Sequence, residues 1–308
     1  MRIALLPTGR MEWEALPKAL ERQFSGHEFY AIPSEAEVQS NPDIGFPAPS
    51  FTSTDVLALQ GKRNNADKLI ERAVAEAIGD RRRTPADLVL ILDDFELVNL
   101  NQADTVAATI RDAALRFLSA YQNQSQRQER YANALRERVS FHLAKPMIES
   151  WLFAGGEDVT KLLFAEDCTP RLLEGSDPEC FQSTDTEYQE DTGEECTSWI
   201  GKGRRNNSRP AWLKPGIDRM IHPKAYLSWL HRNPSEKTCS NYSESGIGAQ
   251  ALGTLDWASL LANPEHAQFA RAMIDDLAYC LTAPPPYPGQ CANETATGQP
   301  ADRVLRNL

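Results

Sequence analysis

Apolar positions fall into two rhythms along this chain. Five consecutive aliphatic residues, Leu88 to Leu92, form a run that fits a strand buried on both faces, as in the middle of a parallel sheet. Shorter runs at Arg2–Leu6, His27–Pro33 and Val139–Ala144 predict three more strands. Between them the period lengthens to that of a helix. Trp13, Leu16 and Leu20 recur at helical spacing, with Glu12 and Glu14 near the helix start and Pro17 marking a shifted start or a kink. Ala66, Leu69, Ile70, Ala73, Val74 and Ala77 make one face of a helix over 64–78, and Val106, Ile110, Ala114, Phe117 and Leu118 make one face of another. Residues 34–60 read as a long loop, and 121–138 as a polar extension of the preceding helix into solvent. Pro146 suits the first turn of a helix whose core face is Met147, Ile148, Trp151 and Leu152.

Strand, helix, strand, loop, helix, strand, helix is the order of an α/β fold with a mostly parallel central sheet flanked by helices. The predicted division is a core over 1–154, an irregular acidic and basic insertion over 155–215, a helical C-terminal part over 216–280 packed on the core, and a mobile or loosely draped tail over 281–308. In the C-terminal part, helices are expected at His222–Arg232 and around Trp257, with a last one ending near Leu281. A Gly-rich link, NYSESGIGAQAL, separates the first two. That link is not a phosphate loop, because no strand precedes it and it lacks G-K-[ST].

Composition narrows the class. The chain has 308 residues, 41% of them hydrophobic and 24% charged, which is globular. No apolar run is long enough for a membrane span and the N-terminus lacks a signal peptide's pattern, so a cytoplasmic protein is expected. Six cysteines with no C-x-x-C pair favour plain thiols over a zinc site. A net charge of −11 argues against a dedicated duplex-binding surface. Arg81–Arg83 and the patch of Lys202, Arg204, Arg205 and Arg209 are local exceptions, each either a solvated loop or a phosphate contact.

Chemistry concentrates where the central strand ends. Asp93, Asp94 and Glu96 crowd the point at which the chain leaves the sheet, and ligands of open α/β sheets bind at the carboxyl ends of strands. Carboxylates packed so closely either hold a divalent cation on oxygen ligands or form a solvated acidic turn. Glu149 is either a partner of its helix dipole or a ligand aimed at a nearby site. His142, alone in an apolar strand, is expected to be a hydrogen-bonded core residue.

Four pieces in order, TGRMEWEALP, LVLILDDFE, RVSFHLAKPMIESWLFA and HPKAYLSWLHR with its Gly-rich link and LDWASLL, resemble a family of bacterial Toprim-like proteins. These are related in fold to the nuclease domains of overcoming-lysogenization-defect proteins. The resemblance spans about residues 1–280. It implies a Toprim-like core, phosphodiester hydrolysis with Mg²⁺ or Mn²⁺, an anti-phage defence setting, and an AAA or SMC-like ATPase as partner subunit. By motif, Glu12, Asp93, Asp94, Glu96 and Glu149 would hold metal. Glu12, Asp93, Glu149 and Lys224 would form the catalytic set, with Lys224 holding phosphate. Nucleic acid is the implied substrate, and self-association stays open. Two positions depart from the motif: Thr8 stands where the turn carries its first glutamate, and Phe95 where the second aspartate follows Asp93. Either the remaining acids rebuild the site, or the domain has kept its shape, lost catalysis, and binds and regulates through the ATPase.

Overall fold

The computed structural model describes residues 1–40, 47–79, 84–164, 168–191, 218–233, 240–288 and 303–308. Four parallel strands form the sheet: β1 (Arg2–Pro7), β2 (Glu28–Ala31), β3 (Leu88–Asp94) and β4 (Val139–Ala144), in the order β2-β1-β3-β4. The all-parallel sheet flanked by helices meets the α/β expectation. β1 and β3 lie side by side at its centre, Leu6 opposite Ile91, and both are buried along their length. From β1 the chain turns outward to β2 on one side, and from β3 to β4 on the other. The exits of β1 and β3 therefore diverge at a topological switch point, where α/β sheets leave a crevice for ligands.

Contacts divide the chain into two compact units, residues 1–144 with 268–308, and residues 145–267. This differs from the division expected above, because the last helix joins the sheet unit. In that unit α3 (Asn65–Ile78), α4 (Ala103–Ser119) and α5 (Ser125–Arg138) cover one sheet face, packing on Ala4, Leu6, Val89, Ile91, Val139 and Phe141. The face follows from alternation, since side chains two apart on a strand share a side. α1 (Arg10–Gln23) and α12 (Gln268–Leu281) serve the other face, where Ser140 and His142 of β4 reach Asp276 of α12.

Several local readings change. α1 runs through Pro17 unbroken. The stretch over 34–60 contains a short helix, α2 (Glu35–Ser40), and a single 3-10 turn, Val56–Leu59. The polar segment after α4 does not extend that helix. The chain turns at Ala120–Gln124 and returns as α5, which buries Ala134 and Leu135 in the core. Only those two apolar positions mark it as packed, too few to show as a periodicity. α3 begins with a capping box in which Asn64 and Asp67 satisfy each other's backbone N–H groups. Asp67 also takes two bonds from Arg116 of α4, at 2.9 and 3.0 Å, which ties the two helices together.

The end of the chain is not loosely draped over 303–308. Leu305 is fully buried, and Asn307 lies against the outer edge of β4. The Asn307 side chain accepts from Phe141 N at 2.9 Å and donates to Phe141 O at 2.6 Å, reproducing with one amide the pairing of a neighbouring strand. Arg306 N adds a bond to Val139 O at 2.9 Å. An edge strand otherwise presents unpaired backbone groups.

The second unit is held by an aromatic cluster. Phe181, Tyr188, Tyr226 and Trp229 pack together, with α9 (Pro223–Leu230) supplying the last two. Among the described residues its other α-helices are α6 (Glu149–Leu152), α7 (Glu157–Leu163), α8 (Thr186–Glu190), α10 (Ala249–Gly253) and α11 (Trp257–Leu260). The predicted helix at Pro146 starts three residues later and is a single turn. The predicted Gly-rich link is largely helical, a π-type turn over Glu244–Gly248 running into α10. The basic residues Arg81–Arg83, Lys202, Arg204, Arg205 and Arg209 lie outside the described residues.

Removing the Asn307 amide leaves Phe141 N–H and C=O without partners at a buried edge. Asn307→Ala is expected to cost about 1–3 kcal/mol in urea unfolding and to accelerate hydrogen exchange of the Phe141 amide ahead of the β3 amides.

Candidate functional site

The predicted site residues fall into two groups, Glu12, Asp93, Asp94 and Glu96 in the sheet unit, and Glu149 and Lys224 in the second unit. At the switch point, β1 ends at Pro7 and Thr8 N bonds Leu92 O at 3.1 Å, holding the β1 exit against β3. Gly9 then caps α1. A Cβ at Gly9 would collide with the carboxylate of Glu12, which folds back over the helix start. A side chain here would have to displace that carboxylate. Glu12 is 3% exposed, in the first turn of α1 where the macrodipole favours negative charge.

Asp93 is the centre of the arrangement and is 1% exposed. Its Oδ1 accepts from the Thr8 hydroxyl. Its Oδ2 accepts from Phe51 N at 3.2 Å. The hydroxyls of Ser50 and Thr52 lie against it as well. Burial pushes the Asp93 carboxyl above the usual carboxylate range, while these donors pull the other way. The loop carrying the donors is fixed from both sides. Thr52 Oγ1 donates to Asp94 O at 2.5 Å, and Asn65 Nδ2 donates to Ser50 O at 2.9 Å.

A second clamp sits just beyond β3. Glu96 has φ +62°, in the region that favours glycine. The strained turn leads into a 3-10 turn over Leu97–Asn99 that drives Asn99 into the core, fully buried. Asn99 Nδ2 donates to Thr52 O (2.6 Å), Thr54 O (3.2 Å) and Phe95 O (3.2 Å), and its Oδ1 accepts from Val56 N (3.1 Å). Asp93 and Asn99 together latch the Ser50–Val56 loop onto the exit of the central strand. Phe95, the second departure from the motif, is fully buried and packs on Phe269, with ring centroids 5.7 Å apart.

A divalent metal would need carboxylate lone pairs pointed at it. Each Asp93 oxygen already accepts one protein donor, which takes one of its two lone pairs. Among the described residues no group of three or more His, Cys, Asp or Glu side chains is placed to hold a metal ion. The sheet unit's members of the expected ligand set, Glu12, Asp93, Asp94 and Glu96, are not gathered into such a group. Thr8, which departs from the motif of the resemblance, gives Asp93 a hydroxyl donor.

In the second unit the two most distinctive motifs do meet. Glu149 is 2% exposed, at the first turn of α6. Lys224 Nζ of α9 lies 3.8 Å from Glu149 Oε1 and bonds Glu244 directly. Tyr242 OH donates to Glu149 Oε1 at 3.4 Å. Burial raises the pKa of Glu149, and the Lys224 charge opposes that shift. Lys224 thus neutralises a buried acid and anchors the turn over Glu244–Gly248. Its ammonium is engaged by two carboxylates, not offered to a phosphate.

Sequence reasoning missed Ser50, Thr52, Asn99, Tyr242 and Glu244, which sit in loops or single helical turns with no periodic pattern. It also missed Asp276, fully buried in α12, whose carboxylate takes Ser140 Oγ at 2.5 Å, His142 Nε2 at 3.3 Å and Arg306 Nε at 3.0 Å. Burial alone would raise the pKa of Asp276, but His142, Arg306 and Ser140 bring it below the usual value. An acid inside the apolar stripe of Met273, Ile274 and Leu277 was the available signal. His142 is the core histidine expected.

Asp93→Ala orphans the Thr8 and Phe51 donors and is expected to cost about 2–4 kcal/mol. Asp93→Asn tests the charge. Because the folded pKa is raised, the carboxyl's contribution is fully present below its unfolded value of about 3.9 and is lost as pH rises through the folded pKa. Wild-type stability relative to Asp93→Asn should fall over that window and then level off in urea unfolding. A rise would mean the ionised form is the one held. Lys224→Met leaves Glu149 buried without its cation and should cost about 1–3 kcal/mol, less than a fully buried pair because Lys224 is half in solvent. No family model, no curated protein and no solved structure matches this chain.

Proposed function

We propose that this chain is a catalytically degenerate Toprim-like subunit, one that binds and regulates or senses through a partner ATPase instead of cutting phosphodiesters. The observation that carries this reading is the state of Asp93. The acid that a metal nuclease would present to its ions is 1% exposed, with one oxygen accepting from the Thr8 hydroxyl and the other from Phe51 N of the Ser50–Val56 loop. A hydrolase of this kind needs metal to activate water and to stabilise the leaving oxygen. With Thr8 donating to Asp93, the sheet retains the architecture and the switch-point crevice without the ligands.

Charge supports the same reading. At a net −11, the chain would repel nucleic acid unless metal or a partner supplied the contact. An AAA or SMC-like ATPase subunit, in the defence setting that the resemblance implies, is the partner proposed, and a cytoplasmic location goes with it. No helix among the described residues is long and apolar enough to cross a membrane.

The nuclease reading makes the opposite demand on the same residue. A resident ion stabilises the fold by mass action, by about 2.7 kcal/mol at a hundredfold excess over its Kd. Titration with Mn²⁺ or Mg²⁺ is expected to leave the melting temperature of this chain unchanged, and plasmid, single-stranded DNA and tRNA uncut. A rise in Tm that Asp93→Asn abolishes, together with cleavage, would restore the metal-dependent nuclease.

A further inference from the structure

The outer edge of β4 is only half covered. In a parallel pair, alternate residues turn their N–H and C=O to one neighbour. Ala144 faces β3, since its carbonyl accepts from Phe95 N at 2.7 Å. Val139 and Phe141 face outward, where Arg306 and Asn307 pair with them. Leu143, two residues further along, has the same outward direction. No described residue bonds its outward N–H or C=O, although Leu143 is only 7% exposed. Buried backbone groups without partners are rare in folded chains.

Leu143 lines a cavity of about 500 Å³. Its floor is Phe141–Leu143 of β4. Ala103 and Ala107 of α4 form one wall, and Phe269 and Ala272 of α12 the other, while Asn307 closes one end. Small side chains on both walls leave room for a backbone to approach the strand. Asp104 and Arg111 of α4 bring charge to the rim, Leu308 completes the lining, and Phe269 supplies an aromatic face.

We propose that this groove binds an extended peptide segment of a partner protein by strand addition. The peptide continues the edge pairing that Arg306 and Asn307 begin. Its backbone takes the Leu143 N–H and C=O, and one apolar side chain enters the cavity between α4 and α12. Continuity with the existing pairing sets both the direction and the register. Main-chain bonds supply affinity in this mode, and the alternate side-chain pocket supplies selectivity. The site is independent of whether the switch point holds metal.

The test is to pan a random heptapeptide display library against the full chain, in parallel with Ala107→Trp, which fills the groove from an α4 position that is not fully buried. Folding of the variant is checked by its melting curve. Enriched peptides should carry a central apolar residue, bind wild type at least tenfold better than Ala107→Trp, and slow hydrogen exchange of the Leu143 amide. N-methylation of the residue facing Leu143 should abolish binding. Should N-methylated peptides bind equally well, the groove is an apolar pocket only and strand addition is overturned. Strand addition fails equally if no enriched peptide distinguishes the variant, or if the Leu143 amide is unaffected. A folding failure of Ala107→Trp leaves the exchange and N-methyl readouts on wild type to decide.

Discussion

A carboxylate buried at the end of the central strand has to be satisfied, and the exit side of the sheet unit is arranged around that constraint. An unpaired ionised carboxylate in a low-dielectric interior is so costly that the group either finds partners or takes a proton. In a metal site a cation would answer the need. Here the Thr8 hydroxyl and the Phe51 amide answer it, and because Phe51 belongs to a loop, that loop becomes part of the core. Asn99 repeats the logic with a neutral amide that makes three bonds to the same segment and one to Phe95 O. The two residues explain why the Ser50–Val56 loop is held against the end of β3.

Much of this fold was legible because burial on both faces leaves a mark in sequence. Leu88–Leu92 could be read as the central strand, and Asp93 as its exit, since five aliphatic residues in a row fit few other environments. The Trp151, Trp229 and Trp257 core positions were equally plain. What stayed hidden depends on partners far apart in the chain. Thr8 was visible as a departure from a motif, yet nothing local said its hydroxyl would turn to a residue 85 positions away. α5 concealed itself because a helix with two buried residues has too thin an apolar stripe to announce its packing. The strap over 303–308 was unreadable for a related reason: it uses an asparagine side chain in place of a strand, so no alternation of apolar residues records it.

The candidate site shows the limit of carrying a motif over residue by residue. Spacing did bring Lys224 beside Glu149, which supports treating those two motifs as a real pair. It did not determine what the pair does. Lys224 also binds Glu244, and a lysine shared by two carboxylates serves as a counter-ion. Asp276 follows the same pattern in the sheet unit, with Arg306 and His142 as its partners. In each place a buried acid is matched by protein donors within its own unit, so none needs an added cation to be stable where it lies.

The latch and the open edge are connected by register. Asp93 on β3 stands opposite Leu143 on β4, so the residue that holds the Ser50–Val56 loop and the residue with free outward backbone groups are neighbours across a single strand spacing, about 4.8 Å. Phe95 N bonds Ala144 O one step further on, which ties the β3 exit to the end of β4. A change of pairing at Leu143 therefore bears on the strand whose other side sets the position of Asp93. The sheet is the shortest physical path between that edge and the crevice where Asp93 is held by hydrogen bonds.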